Sequence, residues 1–106
     1  MNEDYAERGP TRAEVDVMTG PAVIEFGTSW CGHCRAAQPF VATAFDAHPK
    51  VRRIKVEDGS GRPLGRSFGV KLWPTLIFLR DGKETARVVR PRAEAPVREA
   101  LARIDP

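Results

Sequence analysis

The two cysteines of this 106-residue chain lie within the segment Trp30-Cys31-Gly32-His33-Cys34. Two intervening residues allow a small disulfide ring to close. The segment lies between a short apolar run and a helical pattern, so we expect Cys31 at a helix N-terminus and Cys34 one turn inside. There, unpaired N–H groups and the helix dipole favour a thiolate. We therefore expect Cys31 to be the exposed nucleophile, with His33 as a positive charge beside it, and Cys34 to be the more buried resolving thiol.

Other roles for the two thiols stay open at this point. They could be a pair of core cysteines, or half of a zinc site that needs two further Cys or His ligands. The chain has only His33 and His48, and His33 lies inside the motif, so a zinc site within one chain is disfavoured. A zinc-bridged dimer and a carrier of Zn²⁺ or Cu⁺ stay open, and stoichiometric metal in the purified protein would reveal them.

The elements around the motif predict an α/β domain. A capping box of Thr11 and Glu14 starts a helix that should run to about Met18. Strands are expected at 22–26, 51–57, 75–79 and 84–89, the cysteine helix after the first of them, a short helix at 63–68 and a terminal helix ending near residue 104. Asp81-Gly82 is a hairpin signal. This order predicts parallel strands first, a hairpin last and helices packed on the sheet.

The composition fits an ordinary soluble domain, with 42% apolar residues, 29% charged residues and a net charge of +3. Charges of both signs are interspersed, so we expect no nucleic-acid partner. No apolar run is long enough to span a bilayer, so we expect no membrane partner. The polar first ten residues do not resemble a secretory signal, and two cysteines cannot form a disulfide framework. We therefore expect a cytoplasmic protein.

A second motif, Trp73-Pro74-Thr75, stands at the start of the third predicted strand. Together with the WCGHC segment, it makes the chain resemble the thioredoxin superfamily over residues 21–104. The resemblance implies a thioredoxin-like fold with a central mixed sheet flanked by helices, in which the first family strand is short or missing. We expect an N-terminal segment at 1–20, with its helix packed on the domain, and a thioredoxin-like domain at 21–106.

The resemblance also implies roles for the residues around the thiols. Pro74 would be a cis-proline that turns the Trp73 backbone toward a bound substrate chain. Trp30 and Gly32 would line the same substrate groove. Glu25 occupies the position of a buried acid that accepts and returns the Cys34 proton through water, although taken alone it could be an exposed strand residue. Pro39 and Gly82 match the family's helix kink and hairpin glycine.

Several positions depart from the family pattern or carry no expected role. Trp73 is bulkier than the usual residue before the cis-proline, and a family glycine is replaced near Arg90-Pro91, a position that normally lets a partner's backbone approach. Arg92 is the nearest match to an arginine that swings toward the thiols in disulfide isomerase domains. By default we expect Arg53, Arg90 and Arg92 to be solvated charges. We expect His48 to be a solvated residue at a helix end.

These features together predict a thiol–disulfide oxidoreductase that exchanges the Cys31–Cys34 pair with protein substrates, as a reductase or isomerase. The WCGHC motif and Ile24-Glu25-Phe26 look most like a catalytic domain of protein disulfide isomerase. We expect a monomer that needs no metal or organic cofactor and draws electrons from a reductase or glutathione. The alternative is a thioredoxin-like binding or redox-sensing module with little turnover, which an insulin-type disulfide substrate would distinguish.

Overall fold

A computed structural model describes residues 5–106, so the first four residues of the predicted N-terminal segment lie outside it. The described chain alternates helices and strands in the predicted order. The elements are α1 (Arg12–Asp16), β1 (Pro21–Gly27), α2 (Gly32–Phe45), β2 (Arg52–Glu57), α3 (Pro63–Ser67), β3 (Thr75–Arg80), β4 (Lys83–Val89) and α4 (Glu94–Ile104). Among residues 5–106, no helix has the length and apolar character needed to cross a bilayer.

The four strands form one mixed sheet in the order β2-β1-β3-β4. β1 pairs in parallel with β2 and antiparallel with β3, and β3 and β4 form the terminal hairpin. This arrangement confirms the predicted fold class. Ahead of α1, the described chain adds only a single bridge between Ala6 and Val56 at the outer edge of β2.

The sheet is covered on both faces, which is why β1 and β3 are apolar on both sides. Alternate strand residues pack against α2 and α4 on one face and against α1 and α3 on the other. Glu25 shares the α2 face of β1 with Val23, because the two residues are two positions apart. The topology therefore places the only acid of β1 beneath the helix that carries the cysteines.

The local signals at α1 and at the hairpin act as predicted, with one shift of a boundary. The capping box of Thr11 and Glu14 is formed. The helix ends at Asp16 rather than near Met18, because Val17 leaves helical geometry with φ −103° and ψ 5°. In the hairpin turn, Gly82 has a φ of 77°, and a Cβ there would lie 2.5 Å from the Asp16 carbonyl oxygen. Only glycine fits this close approach of the hairpin to α1.

Candidate active site

The two thiols lie at the N-terminus of α2, as the sequence predicts. Cys31 is the N-cap residue, and its Sγ accepts a 3.3 Å hydrogen bond from the backbone N–H of Cys34. Cys31 is 8% exposed and Cys34 is 1% exposed. The prediction that Cys31 is an exposed residue is therefore wrong, although it is the more accessible of the two. It is buried because it packs in a cluster with Tyr5 and Cys34, against which Trp73 closes.

The environment of Cys34 disfavours its thiolate. Burial raises the pKa of the Cys34 thiol to about 11, and the side-chain hydrogen bond with Cys31 contributes to the rise. Hydrogen bonds from the Thr28 backbone and the Tyr5 side chain lower the same pKa without cancelling the effect of burial. Cys34 is therefore a protonated thiol at neutral pH and needs a proton acceptor before it can attack a disulfide.

Glu25 is a fully buried acid that is linked to the cluster around Cys34 through Tyr5. Its Oε2 accepts hydrogen bonds from the Tyr5 hydroxyl and, at 2.8 Å, from Nε2 of Gln38. Its Oε1 accepts a 3.2 Å bond from the Arg53 guanidinium. Because an uncompensated charge is costly to bury, these donors explain how an acid can occupy the centre of the sheet. The exposed-strand alternative for Glu25 does not agree with its 0% exposure.

Arg53 is not the solvated charge that the sequence predicts. Its side chain is only 20% exposed and forms an ion pair with Glu25. It also donates a 2.8 Å hydrogen bond to Oε1 of Gln38, and Lys55 donates to the same oxygen at 3.1 Å. The alternating polar residues of β2 suggested a face open to water. In the structure, that face lies beside Glu25 and Gln38. Arg53 therefore pairs with the buried Glu25, and Lys55 donates a hydrogen bond to Gln38.

The predicted groove residues lie beside the thiols. The rings of Trp30 and Trp73 meet edge to face with centroids 5.8 Å apart, and Trp30 is 71% exposed. Trp73 is held from the other side by a 2.8 Å bond from its Nε1 to Asp58. The Trp73–Pro74 peptide bond is cis, and Pro74 is buried at the start of β3. Gly32 is exposed on the first turn of α2.

The charged residues near the motif divide into two groups. His33 and Arg92 are exposed. Arg90 is half-buried, and its Nε donates a 2.7 Å hydrogen bond to the Trp73 carbonyl, so the expectation of a solvated charge is wrong. It is wrong for His48 too, whose Nδ1 lies 2.7 Å from Oδ2 of Asp105 with the His48 side chain only 13% exposed. That pair joins the segment after α2 to the C-cap residue of α4.

Sequence reasoning missed three residues of the site: Tyr5, Gln38 and Lys55. Gln38 was within reach, because it follows Cys34 by one helical turn and so shares its inward face. Tyr5 gave no signal, because it lies in a polar stretch without periodicity. Among residues 5–106, no group of three or more His, Cys, Asp or Glu side chains could hold a metal ion.

Two thiols at a helix N-terminus and a buried acid beneath the same helix are the groups that a thiol–disulfide oxidoreductase uses. A family profile described as Thioredoxin matches residues 10–103, and the chain therefore belongs to the thioredoxin family.

One solved structure and two curated proteins agree with this membership. The structure of thioredoxin 2 from Pseudomonas aeruginosa PAO1 in its reduced form is similar at 57% identity, covering 94% of this chain and 93% of that one, with a TM-score of 0.85. Thioredoxin H-type 1 of Nicotiana tabacum is 36% identical over 68% of this chain and 57% of its own length. Protein disulfide-isomerase erp38 of Neurospora crassa is 45% identical over 59% of this chain and 18% of its own length.

This chain thus spans less than two thirds of either curated relative. Family membership and the paired cysteines support protein-disulfide oxidoreductase activity for the domain.

Proposed function

We propose that this chain reduces or isomerises disulfides in protein substrates through the Cys31–Cys34 dithiol. The observation that carries the proposal is the arrangement of the two thiols. Cys31 caps α2 and is the more accessible, while Cys34 is buried in a cluster with Tyr5, which is hydrogen-bonded to Glu25. One thiol is thus placed to meet the substrate, and the other is placed to finish the reaction.

The exchange proceeds in two displacements. The Cys31 thiolate attacks one sulfur of the substrate disulfide, the substrate S–S bond breaks, and a substrate thiolate leaves. Cys34 then loses its proton to Glu25 and attacks the Cys31 sulfur of the mixed disulfide. The second substrate thiolate leaves, and two electrons have passed from the dithiol to the substrate. The redox-active group is the dithiol itself.

The groove beside the thiols would hold the substrate chain. Trp30 and Trp73 offer aromatic surface next to Cys31. Gly32 leaves space in front of the helix, since a Cβ there would meet nothing within 4 Å. The backbone of Trp73, next to Pro74, offers the edge to which an extended peptide could add.

The surroundings of this reaction follow from its chemistry. The oxidised pair must be reduced again, so we propose a protein reductase or glutathione as the electron donor. We propose a monomer, because one chain supplies every group of the site. A reducing, cytoplasmic setting fits two cysteines that lie in an exchange motif rather than in a structural disulfide. We also propose that the helix of the N-terminal segment packs on a domain at 21–106, supported by the burial of Val15.

Turnover of insulin disulfides with dithiothreitol as electron donor tests the proposal. Cys31→Ser should abolish turnover, whereas Cys34→Ser should retain the attack and accumulate mixed disulfides that reductant releases. Alkylation at pH 6 should label Cys31 before Cys34. Binding of substrate without turnover, or faster labelling of Cys34, would contradict the proposal, and the first of these results would favour a binding module.

A further inference from the structure

Tyr5 lies between the buried thiol and the buried acid. It is 9% exposed, and Nζ of Lys55 lies 4.6 Å from the centroid of its ring. The position is fixed by the next residue, since Ala6 donates to the Lys55 carbonyl at 2.9 Å and accepts from the Glu57 N–H at 2.8 Å. The hydroxyl thus enters the site from the edge of the sheet, held by backbone bonds to β2.

The Tyr5 hydroxyl bonds the proposed proton acceptor and lies close to the proton donor. It donates a hydrogen bond to Oε2 of Glu25, and the Tyr5 side chain packs in one buried cluster with Cys34. A Cβ placed on Gly27 would lie 2.5 Å from Cys34 Sγ and 3.0 Å from the Tyr5 hydroxyl oxygen, so both atoms border the small space that this glycine leaves. Gln38 completes the site with its Nε2 3.5 Å from the same hydroxyl.

We propose that the Tyr5 hydroxyl relays the Cys34 proton to Glu25 when the mixed disulfide is resolved, in place of the water predicted from the sequence. The inference rests on the proposed function, in which Cys34 attacks after losing a proton to Glu25. It adds a third residue to that step, one that packs in the same buried cluster as the reacting sulfur.

The relay balances without ionising the tyrosine. As the reaction starts, Cys34 carries S–H, the Tyr5 O–H points to Glu25, and Glu25 is a carboxylate. The S–H bond breaks as a new O–H bond forms on Tyr5, while the original Tyr5 proton moves to Oε2 of Glu25. The products are a Cys34 thiolate that accepts a hydrogen bond from Tyr5, a neutral phenol and a carboxylic acid.

Burial and the neighbouring negative charge keep the phenol neutral throughout. Burial raises the pKa of Tyr5 far above its ordinary value, and the neighbouring Glu25 carboxylate raises it further. A phenol that holds its proton so firmly can pass one on only by receiving another, which is what a relay requires. The titratable and charged groups that face this centre are Glu25 from β1, Arg53 and Lys55 from β2, and the thiols of Cys31 and Cys34 at the start of α2.

The test uses Ellman's disulfide as substrate in stopped flow, because one trace separates the two displacements. The first thionitrobenzoate released reports attack by Cys31, and the second reports attack by Cys34. Tyr5→Phe keeps the ring and removes only the hydroxyl. It should leave the first phase within about twofold and slow the second about tenfold or more, as for loss of a positioned acid–base group. Thr43→Val is the matched control, because it removes a hydroxyl on α2 that bonds only the Pro39 carbonyl.

Glu25→Gln in the same assay separates the two proposals. If it slows the second phase as Tyr5→Phe does, and the double variant is no slower than the slower single one, the two residues act in one path. A normal second phase in Tyr5→Phe beside a slow one in Glu25→Gln overturns the relay and leaves the role of Glu25 standing. A normal second phase in Glu25→Gln overturns both.

A second measurement applies even if the phenylalanine variant does not fold. Tyr5 is the sole tyrosine of the chain, so global incorporation of 3,5-difluorotyrosine changes this hydroxyl alone. Fluorine makes the phenol more acidic with little change of shape. The relay requires the pH profile of the second phase to shift while that of the first stays in place. Identical profiles for both phases would overturn the relay.

Discussion

The guanidinium of Arg90 donates a 2.7 Å hydrogen bond to the main-chain carbonyl of Trp73. That carbonyl is one of the two backbone groups that Trp73 could offer to a substrate strand. Arg90 also has a φ of 50°, in the left-handed region that is unfavourable for a side chain of this size. The chain thus fills part of its own groove with an arginine at the position where the family pattern has glycine.

Arg90→Gly should strengthen the binding of protein substrates. It frees the Trp73 carbonyl for an intermolecular hydrogen bond and places a residue suited to positive φ at position 90. One hydrogen bond is worth about 1 kcal/mol, so we expect KM for a protein disulfide to fall about fivefold. Arg80→Ala is the control, because it removes an exposed arginine from the far end of β3. An unchanged or higher KM in Arg90→Gly would show that the arginine does not compete with substrate.

Gly27→Ala should damage the site from within the sheet. The added methyl group would lie 2.5 Å from Cys34 Sγ, so the thiol or the neighbouring Tyr5 ring must move. Overpacking of this kind costs about 1–3 kcal/mol of unfolding free energy, measurable by urea denaturation of the reduced protein. Gly32→Ala is the matched substitution, since its Cβ meets nothing within 4 Å. Equal stability losses in the two variants would contradict the close packing.

The stability of the reduced protein should fall in alkaline solution because of Cys34. Its pKa is raised from 9.0 to about 11 on folding, so the native state binds more protons than the unfolded state between these values. The contribution of Cys34 to the free energy of unfolding is therefore fully present below pH 9 and is lost as the pH rises toward 11. Relative to Cys34→Ser, we expect the reduced wild type to lose roughly 2 kcal/mol more between pH 8 and pH 11. A parallel decline in both proteins would remove Cys34 as its cause.

His33 should set the reduction potential above that of a typical thioredoxin. A positive or hydrogen-bonding group near Cys31 stabilises the thiolate, which exists only in the reduced form. We expect a potential between about −270 mV and about −180 mV, the values typical of thioredoxin and of disulfide isomerase. His33→Pro should lower it by one or two steps of about 30 mV in glutathione equilibrium, with Arg35→Ala as the control for loss of an exposed cation on the same turn. An unchanged potential would leave His33 without this role.

How far the sequence predicts this site depends on which interactions are local. The position of the thiols follows from neighbouring residues, because a strand, a short loop and a helix start fix it. The surroundings of Glu25 do not, because its partners come from β2, α2 and the stretch before α1. Arg53 looked like a solvated residue in an alternating strand, and only the packing of α2 over that face turns it into a counterion. Tyr5 is placed in the site by the bridge between Ala6 and Val56. These residues are far apart in the sequence, and no periodic pattern predicts their pairing.

The bridge at Ala6 also ties the redox site to the integrity of the sheet edge. Its two backbone hydrogen bonds cover part of the outer edge of β2, and the same stretch carries Tyr5. A local opening that peels this stretch away would expose unpaired N–H and C=O groups to neighbouring molecules and withdraw the phenol from Cys34 at the same time. Self-association and loss of proton transfer would then share one opening free energy. Hydrogen exchange at the amides of Ala6 and Glu57 would report it.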